Sequence, residues 1–219
     1  MNRLSLITAP SGAVVFGILA FMKQVVVIGG GDTFKSYEDY LSGLRNKKIE
    51  SLDYFKGLPD WKQTLQLHLG EDYEVIAPRM PNKQNAKYIE WQVWFEKLVP
   101  FLKSSAILIG HSLGGSFLAR YLAENRLPIR LSGVSLVAAP HDADDDLTEE
   151  FAAPASLSLL SEQCDNIFLY YSEDDPVVSF VELAKYQSAL PQAVTRTFID
   201  RGHFNQETFP ELVGDIRGI

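Results

Sequence analysis

Cysteine is nearly missing from this chain: Cys164 stands alone among 219 residues. One cysteine excludes an internal disulfide and fits a reducing, cytoplasmic setting. Cys164 itself reads as a half-buried packing residue. Positive charge is also short, with 20 Lys and Arg against 28 Asp and Glu and a net charge of −8. No basic stripe runs along the sequence, which excludes a nucleic-acid partner. Histidines number four, and none falls with cysteines or carboxylates at metal-ligand spacing, so no metal is expected. The triplet Gly29-Gly30-Gly31 lacks the last glycine of a dinucleotide loop, because position 34 is phenylalanine. No Gly-Lys-Ser/Thr follows it either, so no cofactor is expected. Repeats and low-complexity linkers are absent.

Long apolar runs are missing apart from residues 1–21, where Met1-Asn2-Arg3 leads into a mostly apolar stretch ending at Phe21. Pro10, Ser11 and Gly12 interrupt it, which makes a poor membrane span, and no convincing small-residue cleavage site follows. The expectation is an N-terminal extension outside the fold, either a mis-set start or an apolar leader. Membrane association arises only if it acts as an anchor. One domain is expected over residues 22–219, with 46% hydrophobic content to build its core.

What is present is alternation. Strand-like runs fall near 25–29, 73–77, 105–109, 133–137, 166–171 and 194–199. Helix-like runs fall near 36–46, 60–69, 88–102, 113–124, 179–189 and 208–217. Such alternation predicts a parallel sheet covered by helices on both faces. Thr208 and Glu211 suggest a capping box for the last helix. Trp91 and Trp94 read as one helix face packed on the sheet.

The most specific signal is Gly110-His111-Ser112-Leu113-Gly114, set between the apolar run Ala106–Ile109 and a helix-like run carrying Phe117, Leu118, Tyr121 and Leu122. A G-x-S-x-G string where a strand turns into a helix holds the serine hydroxyl above the sheet end on a strained backbone. A hydroxyl needs a base to take its proton, and the base needs a third group to orient it. Elimination among the histidines favours His203. His68 sits in a helix-like run, His111 adjoins the serine and should bond locally, and His141 follows the fourth strand. His203 lies in the loop after the last strand, beside Gly202. The acid should follow the strand 166–171, where Asp174 and Asp175 compete; Pro176 biases Asp175 toward an extended conformation, and Asp175 is favoured. Oxyanion donors are expected from the N–H of Leu113 and from the loop after the first strand, Gly31 ahead of Gly30.

The order Gly-x-Ser-x-Gly, Asp-x-x-Val, Gly-His resembles the α/β-hydrolase superfamily. More narrowly, Ser172-Glu173-Asp174-Asp175-Pro176-Val177-Val178 and Arg201-Gly202-His203-Phe204-Asn205 resemble the small serine hydrolases typified by retinoblastoma-binding protein nine and its bacterial relatives. The resemblance implies a doubly wound α/β-hydrolase sheet of about six mostly parallel strands in the order 2-1-3-4-5-6. It also carries the catalytic roles onto Ser112, Asp175 and His203. Many relatives end their first strand in His-Gly-Gly, whereas Gly29 stands in that histidine's place here.

Only 25 residues run from Asp142 to Asn166, too few for a large cap domain, so an open, shallow site is expected. Residues 78–83 and the loop after the fourth strand should form its walls. Asp142, Asp144, Asp145, Asp146, Glu149 and Glu150 read as a solvated loop and helix start; the sharper reading is a rim that attracts cationic substrates. The resulting expectation is a serine hydrolase (carboxylesterase-like) acting on small acyl esters, and on amides by the same chemistry, through an acyl-enzyme. The alternatives are a non-catalytic binding or scaffold protein on this fold, and an acyltransferase using the same three residues.

Overall fold

The computed structural model of the chain describes residues 22–56, 59–143 and 147–219. The expected extension over residues 1–21 lies outside these. Six strands, β1 (Lys23–Ile28), β2 (Tyr73–Ile76), β3 (Ile107–His111), β4 (Leu131–Val137), β5 (Cys164–Ser172) and β6 (Val194–Phe198), form one sheet. Its order is β2-β1-β3-β4-β5-β6, and all five pairings are parallel. The helices are α1 (Tyr37–Asn46), α2 (Asp53–Lys56), α3 (Trp61–Leu69), α4 (Tyr88–Leu98), α5 (Leu113–Glu124), α6 (Ser158–Glu162), α7 (Val181–Ala189) and α8 (Pro210–Arg217).

Strand alternation divides the core into two layers. Val26, Ile28, Leu108, Val134 and Leu136 face one side with Trp91, Phe95 and Phe117. Val25, Val27, Ile107 and Ile109 face the other with Trp61, Phe204, Phe209 and Leu212. Apolar side chains on both faces are what a parallel sheet sandwiched by helices requires. Each large side chain removed from water contributes roughly 1.5–3 kcal/mol. The edge strand β6 is the exception; its side chains are mostly exposed, and Arg196 there is held by Asp215 of α8 at 2.7 Å.

Several expectations are corrected at this level. α8 begins at Pro210 with no side-chain cap, because proline needs no partner for a missing N–H. Glu211 instead pairs with Arg201 at 2.5 Å. Pro100 turns the end of the 88–102 run into a 3-10 segment, Val99–Phe101. Trp91 is fully buried, but Trp94 is half exposed at 51%: the buried face of this helix runs through Tyr88, Trp91 and Phe95, and Trp94 falls beside it. Within the acidic stretch, residues 149–151 form a turn where a helix start was expected. The short helices α2 and α6 were not foreseen, since four or five residues carry too little periodicity to be seen.

Candidate active site

The sheet order brings the carboxyl ends of β1, β3, β4, β5 and β6 to one rim, and the sequence-selected residues all lie there. Ser112 follows β3 and precedes α5, with φ 54° and ψ −127°. A non-glycine residue with positive φ is strained and persists only where its surroundings enforce it. Enforcement comes from backbone bonds: Ser112 N–H donates to the Val137 carbonyl at 2.8 Å, and the Ser112 carbonyl accepts from Gly115 N–H at 2.8 Å. The flanking glycines allow the approach. A Cβ on Gly114 would collide with the carbonyls of Ile28 and Gly29, and one on Gly110 would lie 2.5 Å from the Gly114 carbonyl.

His203 sits in the loop between β6 and α8. Its Nδ1 lies 2.9 and 3.1 Å from the two carboxylate oxygens of Asp175. The Asp175 side chain is 2% exposed and the His203 side chain 11%. Asp175 Oδ1 also accepts from the N–H groups of Val177 and Val178, at 2.8 and 3.0 Å. Those two donors fix the carboxylate in its ring-facing orientation.

The competition between the two aspartates resolves by position. Asp174 does not reach the ring. It accepts from Ser172 Oγ at 2.5 Å and from Gly202 N–H at 2.9 Å, and these bonds hold its carboxyl below the usual carboxylate range. Ser172 Oγ in turn accepts from Arg201 N–H at 3.0 Å. Ser172 and Asp174 thus fasten the histidine loop to the end of β5.

The ring of His203 packs against that of His111, the residue before the serine, with centroids 4.9 Å apart. No hydrogen bond joins Ser112 to His203 among the described residues. Catalytic bonds of this kind are often long without substrate. On the opposite side of the serine, a Cβ on Gly30 would lie 3.1 Å from Ser112 Cβ, and one on Gly31 would lie 3.3 Å from Leu113 Cδ2. The N–H groups of Gly30, Gly31 and Leu113 donate to no carbonyl among the described residues.

A model of the serine hydrolase family matches residues 56–209 of the sequence, spanning the elbow, Asp175 and His203. The chain belongs to the serine hydrolase family. Serine hydrolase RBBP9 of Rattus norvegicus is 23% identical over 147 residues, which is 67% of this chain and 78% of that protein. The ydeN gene product of B. subtilis shares its fold, with a TM-score of 0.68 at 18% identity, over 90% of this chain and 98% of that one. A CIB-like hydrolase from Thermoplasma acidophilum does so with a TM-score of 0.58 at 16% identity, over 91% and 88%.

Other parts of this serine hydrolase site were not visible in the sequence. His111 was expected to bond locally, but its partner is the carbonyl of His203, 92 positions on and 2.9 Å from its Nε2. That bond makes Nε2 the protonated nitrogen and leaves Nδ1 as an acceptor facing Lys62 Nζ at 3.4 Å. Burial, with Lys62 nearby, holds the His111 pKa well below its ordinary value. Lys62 is itself mostly enclosed; burial lowers its pKa, opposed by an ion pair with Asp60 at 2.6 Å. Asp60 doubles as the N-cap of α3. An Asp two residues before a Lys at a helix start is too common a pattern to have singled out either one.

His68 belongs to α3 as expected. His141 bonds Asp142 and packs on the edge of Tyr186. Of the acidic stretch, Asp142 is paired with Lys185 at 2.9 Å and Glu150 with Lys87 at 3.5 Å; residues 144–146 lie outside those described. Cys164 is buried, with its thiol pushed up to about 12 by desolvation, which leaves it unreactive. Among the described residues, no three His, Cys, Asp or Glu side chains converge as a metal site would need, and no helix is long and apolar enough to cross a membrane.

Proposed function

We propose that this serine hydrolase cleaves small acyl esters, and amides by the same route, through an acyl-enzyme on Ser112. The observation that carries the reading is the His203 ring bound to a nearly inaccessible carboxylate, Asp175, beside a serine held on a strained elbow. Ser112 Oγ attacks the acyl carbon while His203 Nε2 takes its proton. The same nitrogen then passes that proton to the departing alcohol. Water attacks the acyl-enzyme with His203 again as base, releasing the acid and restoring the serine. Asp175 keeps the proton on Nδ1 and stabilises the cationic ring. The N–H groups of Gly31 and Leu113 receive the oxyanion; one such donor is typically worth roughly 10²–10³ in rate. Water completes turnover here, although an alcohol or thiol acceptor would use the same acyl-enzyme.

A fluorophosphonate probe is expected to label the wild-type protein on Ser112, and p-nitrophenyl butyrate to be hydrolysed. Ser112→Ala should abolish both while keeping the thermal unfolding transition. Labelling that persists in Ser112→Ala would overturn the assignment and favour a binding role for the fold.

A further inference from the structure

A cleft of about 1100 Å³ lies between the β1 loop and residues 77–90 and reaches the serine through Gly30, whose missing Cβ would lie 3.1 Å from Ser112 Cβ. Residues 78–83 form one wall, as expected, and Gly29 and Gly30 the floor next to the serine. Its charge runs opposite to that of the molecule. Lys62, Arg79, Lys83 and Lys87 line it against only Asp60 and Glu90, in a chain of net charge −8.

The acids present are already engaged. Asp60 holds Lys62, Glu90 accepts from Asn82 at 2.9 Å, and Lys87 is met by Glu150 from outside the cleft. Arg79 and Lys83 remain without an ion pair or side-chain hydrogen bond among the described residues. Lys83 lies near enough for its charge to help lower the Lys62 pKa, so two ammonium groups converge on one space without a second carboxylate between them. Gly29 lines that space, and its missing Cβ would lie 4.0 Å from the Lys62 stem. A lone surface lysine is ordinary, whereas convergent like charges at the mouth of a reaction site raise the local concentration of anions.

We infer that this cleft selects acyl substrates carrying a carboxylate, bound by Lys83 and Arg79 with Lys62 at the inner end. A carboxylate fits better than a phosphate because the cations are separate side chains. The backbone N–H groups nearby, at Gly31 and Leu113, are committed to the oxyanion. The inference rests on Ser112 being the nucleophile as proposed above.

Two matched pairs of esters test it. p-Nitrophenyl hydrogen adipate against its neutral methyl ester places the charge on the acyl side. 4-Carboxyphenyl butyrate against its methyl ester places it on the leaving group. The expected result is a kcat/KM at least about tenfold higher for the charged member of one pair at low salt, shrinking as salt screens the cations. In Arg79→Ala/Lys83→Ala that ratio should fall at least about fivefold through KM, whereas the distant Arg126→Ala should retain it. Equal rates within both pairs, or a ratio untouched by the double variant, would overturn the inference and leave Ser112 catalysis standing. Failure of every ester together with absent fluorophosphonate labelling would remove the catalytic reading, and the inference with it.

Discussion

Asp175 offers its Oδ1 to two backbone N–H groups and to the His203 ring at once, and that crowding decides what Asp175→Asn does. The asparagine oxygen must take the Oδ1 position to keep Val177 and Val178 satisfied, so its NH2 group faces Nδ1. The ring then has to leave Nδ1 unprotonated and carry its proton on Nε2, where it cannot accept one from serine. Activity should drop by roughly 10³–10⁴, with the unfolding midpoint in urea little changed. His111 makes a different prediction. It is buried neutral beside Lys62 and His203, with its folded pKa below that of the unfolded chain, so the unfolded state binds the extra proton. The stability from keeping this ring neutral is complete above the unfolded value, about 6.5, and drains away as pH falls below it, by up to about 1.4 kcal/mol per pH unit. Urea melts from pH 7 to pH 5 should show this slope in the wild type, and His111→Phe should flatten it. The same variant strands the His203 carbonyl, so kcat should fall more than KM rises. The places of Ser112, Asp175 and His203 were legible in the sequence because each follows a strand with a chemical signature. His111 and Lys62 were not: their importance comes from partners 92 and 49 positions away.

At the scale of elements, the connection from β3 to α5 is set by glycines whose demands differ from those of glycines elsewhere. Gly114→Ala forces a methyl into the backbone of β1, which cannot yield, and should cost roughly 3 kcal/mol or more. Gly214 lies within α8 with nothing near its missing Cβ, so Gly214→Ala should stabilise by roughly 0.5–1 kcal/mol. Thermal melts of the two variants side by side should move in opposite directions. The long elements were readable for the same reason that these variants differ. The runs at 25–28 and 106–109 are apolar throughout, and α5 repeats its large side chains at three and four. Boundaries failed where local chemistry overrode periodicity. Pro210 started α8 without the anticipated Thr208 cap, and Pro100 tightened the end of α4.

Across the whole molecule, the histidine loop is held by α3, an element that precedes it by more than half the chain. Trp61 Nε1 donates to the Phe204 carbonyl at 2.9 Å, Trp61 N–H to the Gln206 carbonyl at 2.8 Å, and Thr64 Oγ1 to the Glu207 carbonyl at 2.6 Å. Trp61→Phe keeps most of the apolar bulk but leaves the Phe204 carbonyl unpaired, a loss of roughly 1–3 kcal/mol. Because that carbonyl adjoins His203, the chemical step should weaken along with the urea midpoint. The strand order was legible only through family likeness, since alternating strands and helices do not by themselves say which strand is central. The pairing of α3 with the last loop follows from that order and could not be read from either segment.

One consequence concerns biosynthesis. A chain emerging from the ribosome displays Ser112 long before His203 is made, and α3, which holds the His203 loop, is made earlier than both. On the mechanism proposed above, the Ser112 hydroxyl meets its base only once the last loop closes onto Trp61, so a prematurely terminated polypeptide should show no activity toward esters.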